Sequence, residues 1–157
     1  MNRKDWGIAD ALAASVAFPD RAQFSSGLWG LGFYQSAAEY VLLTLQAPSG
    51  LTGTLYLDID WTIEVVGGTV KWDVYVMAVT PDDAGNTLTT ASYAAVNTTT
   101  VSTPASAGVM TRTTVTLTNA DSMAAGDQVW LQVGRDGVND TAPYRAVVYG
   151  FTFRDSA

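Results

Sequence analysis

Cysteine and histidine are both missing from the 157 residues. Their absence excludes disulfides, Cys/His zinc sites, and the Ser-His-Asp and Cys-His pairs of nucleophilic catalysis. Charge is also scarce: 15% of residues are charged, against about a quarter in ordinary globular chains. The 8 basic residues against 15 acidic ones give a net charge of −7. Arg3 and Lys4 are the only adjacent basic pair. This balance argues against nucleic acid and against anionic lipid as partners. No apolar run approaches the ~20 residues of a membrane span. Asp5 and Asp10 interrupt the N-terminal stretch, which does not read as a signal peptide.

What is present points to a packed domain. Hydrophobic residues make up 48% and aromatic residues 11%, too much for disorder. With few charges, the surface is left to Thr, Ser, Ala and Gly, and such a surface is easily buried against a partner. From residue 39 onward, apolar alternation and turn signals recur about every dozen residues. Glu39–Gln46, residues 54–66 and 69–79, Val109–Thr118, Asp127–Arg135 and Tyr144–Arg154 all read as strands, with one or two weaker strands in 88–103. In the last, Val147, Tyr149, Phe151 and Phe153 share a phase. The expectation is an all-β, antiparallel, jelly-roll-like β-sandwich of about eight strands over 39–157. Residues 1–38 form an N-terminal extension. It is either an arm lying across the domain or a neighbour, or a first strand and loops packed on their own core. Ile8, Leu12 and Val16 share one stripe of a possible short helix.

Gly67-Gly68 between two alternating segments suggests a tight hairpin. Its register would place Val66 opposite Thr69, Val65 by Val70, Ile63 by Trp72 and Trp61 by Val74. Glu64–Lys71, Thr62–Asp73 and Asp60–Tyr75 would share the other face. Trp61 and Trp72 then point into the core.

Three groups could carry chemistry. Asp58, Asp60 and Asp73 would share the hairpin's outer face, as a cation site or a glycosidase-like acid pair; the plainer reading is a solvated polar face. Asp136, Asn139 and Asp140 offer three oxygen donors in a loop, which equally describes an Asx-rich turn. Arg135 and Asp136, at the end of one strand, read as partners of structural ion pairs across the loop. Tyr56, Tyr75 and the outward Trp130 could stack on sugar rings, or could contact a neighbouring subunit. Nothing here reads as catalytic, and no cofactor or metal is called for.

The run Ala125-Gly126-Asp127 through Arg135-Asp136, then Asp140-Thr141 and the closing strand Arg145–Phe153, resembles a pattern in tailed-bacteriophage virion proteins. There a Gly-Asp opens a strand, an Arg-Asp closes it and an Asp-Thr precedes the last strand. Val70-Lys71-Trp72-Asp73-Val74 is also similar, so the resemblance covers roughly residues 54–154. Ala142-Pro143-Tyr144 departs from it, standing where the pattern often has a small Gly-containing turn. The resemblance implies a jelly-roll domain on the virion (head decoration protein, head fibre or tail module), commonly trimeric and without catalytic residues. On that footing Trp6, Ile8, Leu12, Trp29 and Phe33 are expected to anchor the chain to a neighbour or the major capsid protein. Tyr75, Met77 and Trp130 are expected to make subunit contacts. The alternative is a carbohydrate-binding module of a tail fibre or receptor-binding protein.

Overall fold

The computed structural model describes residues 3–7, 12–13, 19–24 and 27–156, with nothing said of the side chains of Trp6, Gly7, Leu12, Ala13 and Phe24. Among them are eleven strands: β1 (Arg3–Gly7), β2 (Leu12–Ala13), β3 (Asp20–Phe24), β4 (Leu28–Phe33), β5 (Ala38–Gln46), β6 (Leu55–Ile63), β7 (Thr69–Val79), β8 (Asn97–Ser102), β9 (Thr111–Thr116), β10 (Gln128–Asp136) and β11 (Ala146–Asp155). They form two antiparallel sheets. The first runs β3-β4-β11-β6-β9, with β1 pairing β11 beyond β4 along the same edge; the second runs β2-β5-β10-β7-β8. From β4 to β11 the chain changes sheet at every connection except β7–β8, which is the jelly-roll winding of eight strands. The all-β sandwich read from the sequence is the fold observed.

The period-2 pattern dictates the core. Leu57, Ile59, Trp61 and Ile63 face Trp72, Val74, Val76, Leu131 and Val133 across one interior, and all are fully buried. Trp72 meets Trp61 and Phe33 edge-on, each at 5.6 Å between centroids. Trp61 Nε1 donates to Thr113 Oγ1 at 2.8 Å, while Trp72 Nε1 has no acceptor among the described residues.

The hairpin expected around Gly67-Gly68 does not form. β6 pairs with β11 and β9, and β7 pairs with β10 and β8, so the two strands lie in opposite sheets and the connection is an arch. Their inward faces are those the alternation predicts, but Trp61 and Trp72 meet across the interior rather than along a ladder. Hairpin and arch bury the same parity of residues, so the pattern alone does not separate them. Gly68 has a φ of +71°, and a Cβ there would collide with the Thr141 carbonyl. It packs against the β10–β11 loop instead of turning back on itself.

Two smaller expectations also change. Leu12 and Ala13, placed in a helix by periodicity, pair with Leu42 and Val41 as a strand; Ile8 and Val16 lie outside the described residues. In β11 a register shift between Val148 and Gly150 reverses the phase. Ala146 and Val148 therefore join the core with Phe151 and Phe153, and Tyr149 is only half-buried.

Four connections meet at one end of the sandwich. Gly67 and Gly68 bond Thr103, Gly108 bonds Ile63, Thr69 bonds Thr141, and Gly137 lies against the backbone of residues 34–37.

Candidate functional site

That loop end holds a cavity of about 570 Å³, lined by Tyr34, Gln35 and Ser36 from the β4–β5 loop and by Val138, Pro143 and Tyr144 from the β10–β11 loop. The two loops are locked together from beneath. Gly137 sits so close to the carbonyls of Tyr34, Gln35 and Ala37 that any side chain would displace them. Below it lies Arg135, whose side chain is fully buried. Its guanidinium clasps Asp140 bidentately at 2.5 and 2.9 Å. It also donates to the carbonyls of Phe33 (3.1 Å), Tyr144 (2.6 Å) and Ala142 (2.6 Å). All five N–H donors of this side chain are engaged. One residue thus fixes the backbone next to Tyr34 and at Tyr144 itself.

Tyr144 has a φ of +59°, a left-handed conformation unusual for a bulky side chain. Its side chain is 65% exposed at the cavity rim. Such outliers persist where the surroundings over-determine them and concentrate at ligand sites. Tyr34, across the cavity, is held by its backbone N–H donating to Glu39 Oε2 at 2.6 Å. Burial pushes the Glu39 carboxyl above its ordinary range, and the Tyr34 bond only partly offsets this. The Arg145 guanidinium lies 5.6 Å from the Tyr34 ring centroid and is ion-paired with Glu64. Among the described residues, no partner within the protein engages the Gln35 amide or the Ser36 hydroxyl. Arg145 Nη1 donates to the Tyr34 hydroxyl at 3.4 Å. Two aromatic rings beside the Gln35 amide and the Ser36 hydroxyl can stack on and bond to a polar, flat-faced ligand.

The carboxylates singled out from the sequence do not converge. Asp58 and Asp60 lie on β6, and Asp73 lies on β7 in the other sheet. Burial pushes Asp58 up, but bonds from Arg154 and Thr114 outweigh it and leave the carboxyl below its usual range. Asp60 takes two bonds of 2.7 Å from Arg112. Asp73 accepts from Thr98 at 2.7 Å, and burial raises it. The first two are each ion-paired with an arginine and the third lies in the other sheet near Lys71 and Asp136, so the three share no site. In the 136–140 loop, Asp136 pairs with Lys71 at 2.7 Å and Asp140 with Arg135. Among the described residues no three acidic groups gather to hold a metal.

The expected contact residues scatter. Tyr75, Met77 and Trp130 are half-buried on the outer face of the second sheet, where Trp130 stands opposite Met77 and Gln132 opposite Tyr75. Tyr40 and Tyr93 flank Tyr75 edge-on at 5.9 and 6.4 Å. Trp130 also lines a cavity of about 370 Å³ with Val79, Pro81 and Leu88. Tyr56 is on the first sheet, its ring 4.5 Å from the Arg154 guanidinium, so it shares no platform with the others. Trp29 is 54% exposed on β4, whereas Phe33 is fully buried against Trp72 and offers no surface. Trp6 and Leu12 lie on β1 and β2, with side chains outside the described residues, as is Ile8 entirely. Tyr34 and Tyr144 were not anticipated; their only sequence signal is an aromatic residue inside a polar, turn-rich stretch.

No protein-family model and no curated protein matches the chain. Among solved structures it is similar to a family 35 carbohydrate binding module from Clostridium thermocellum, at 9% identity over 99% of this chain and 100% of that one, with a TM-score of 0.52. It is similar to a CBM35 from Cellvibrio japonicus Abf62, at 9% identity over 99% and 95%, with a TM-score of 0.56. An Arthrobacter globiformis T6 isomalto-dextranase complexed with panose aligns at 15% identity over 96% of this chain and 23% of that one, with a TM-score of 0.50. At these identities the likeness shows a shared fold.

Proposed function

We propose that this chain is a non-catalytic carbohydrate-binding module whose ligand lies between Tyr34 and Tyr144 in the loop-end cavity. The observation that carries this reading is the left-handed Tyr144, fastened through its carbonyl to Arg135 and lining one cavity with Tyr34, Gln35 and Ser36. Aromatic faces pack on the C–H faces of sugar rings, and Gln35 and Ser36 supply the bonds that orient hydroxyls. The fold shared with solved carbohydrate-binding modules supports the same class. Glycan-array screening followed by calorimetry tests it. Tyr34→Ala and Tyr144→Ala are each expected to weaken binding at least about tenfold, roughly 1.4 kcal/mol, with unchanged far-UV circular dichroism. Silence on a broad array, or binding indifferent to both variants, refutes the reading.

A structural role on a phage particle is the second reading, and the outer face of the second sheet favours it. Tyr40, Leu42, Tyr75, Met77 and Trp130 give that face more apolar surface than a solvated strand face needs. Packed on another copy, this face would build a symmetric trimer. Light scattering at micromolar concentration decides: a trimer that dissociates in Trp130→Asp supports it, and a monomer removes it.

A further inference from the structure

Resting on the carbohydrate reading, the geometry points to an uncharged glycan as the ligand, with uronate, sialylated and sulfated chains rejected. Anionic sugars are held by cations whose charge no carboxylate balances, or by clusters of free N–H groups. Among the described residues no lysine or arginine lines the cavity. The cations built into its support are each charge-balanced by a carboxylate. Arg135 is fully buried with every donor engaged on Asp140, Phe33, Ala142 and Tyr144. Arg145, whose Nη1 also donates to the Tyr34 hydroxyl at 3.4 Å, is balanced by Glu64, and Lys71 by Asp136. Asp140 contributes only backbone to the lining, because its side chain is wholly buried under Arg135.

The surroundings carry no net positive charge. Glu64 and Asp136 offset Arg145 and Lys71, Glu39 lies under Tyr34, and the chain has a net charge of −7. An approaching carboxylate or sulfate finds no unbalanced cation among the described residues to compensate for its lost hydration. A neutral ring meets two tyrosines, an amide and a hydroxyl, which need only hydroxyl groups in return.

The test pairs a neutral oligosaccharide with its uronate-bearing counterpart of equal length, by calorimetry at low and high salt. The neutral ligand is expected to bind with an affinity that salt changes less than about twofold, and the acidic one at least about tenfold more weakly. Gln35→Lys, at an exposed loop position, places a cation at the rim and is expected to bring the acidic ligand up towards the neutral one. An acidic ligand bound as tightly as the neutral one by the unaltered chain, its affinity falling with salt, overturns the inference while leaving the carbohydrate reading intact. So does a Gln35→Lys variant with unchanged preference. Failure of both ligands, and of a broad array, overturns the carbohydrate reading and this inference with it.

Discussion

Arg135 is the residue on which the loop end depends. A buried guanidinium is tolerable only when its charge is matched and every N–H is bonded, and Asp140 with three carbonyls meets both conditions. Removing the side chain would strand the Asp140 carboxylate and three carbonyl groups without a partner. Arg135→Ala is therefore expected to lower the unfolding free energy by about 3–5 kcal/mol in urea titrations. A loss below about 1 kcal/mol would mean that water replaces the guanidinium and that the loops do not rely on it. That Arg135 enters a structural ion pair was legible from its place at a strand end. The partner was not, because Asp136 is adjacent and Asp140 is reached only once the loop has folded back. Tyr144 was illegible for a related reason. No local preference of tyrosine asks for a positive φ, and the backbone is held there by a residue nine positions earlier.

At the level of elements, the inward and outward faces of β6, β7, β9 and β10 were legible in the alternation, down to Trp61 and Trp72 inside and Trp130 outside, whereas β5 is apolar on both faces. Pairing was not legible. A strand whose apolar face points inward satisfies that pattern beside its sequence neighbour or across the interior from it, and here the long-range partners β9, β10 and β11 take the ladder positions. The phase of β11 was lost at its bulge, where an extra residue reverses the alternation. Cysteine pairs distinguish arch from hairpin, since bridging needs Cα atoms within about 7 Å. Lys71→Cys with Thr100→Cys, partners across β7 and β8, is expected to oxidise to a disulfide within the monomer. Glu64→Cys with Lys71→Cys, neighbours in the hairpin register, is expected to stay reduced. Mass spectrometry with thiol alkylation reads both, and bridging of the second pair alone would restore the hairpin.

Across the molecule, one cluster of buried side chains joins both sheets, from Leu31 and Phe33 on β4 to Phe153 on β11. Because this one cluster draws on both sheets, the sandwich should unfold as one unit. Trp61 and Trp72 sit at its centre and report on it directly. Their fluorescence is expected to change at the same denaturant midpoint as far-UV circular dichroism. Midpoints that separate would show that one sheet survives the loss of the other. The layer architecture followed from strand count and spacing, but the gathering of four connections at one end followed only from the winding order.

The fastening of the two loops by Arg135, Asp140 and Gly137 lies below the cavity, whereas the side chains of Gln35, Ser36 and Val138 line it and bond to none of the described residues. Shape and selectivity are thereby assigned to different positions. A library randomised at those three lining positions should stay soluble and folded across most of its members, so that the preference of the chain can be reprogrammed without rebuilding it.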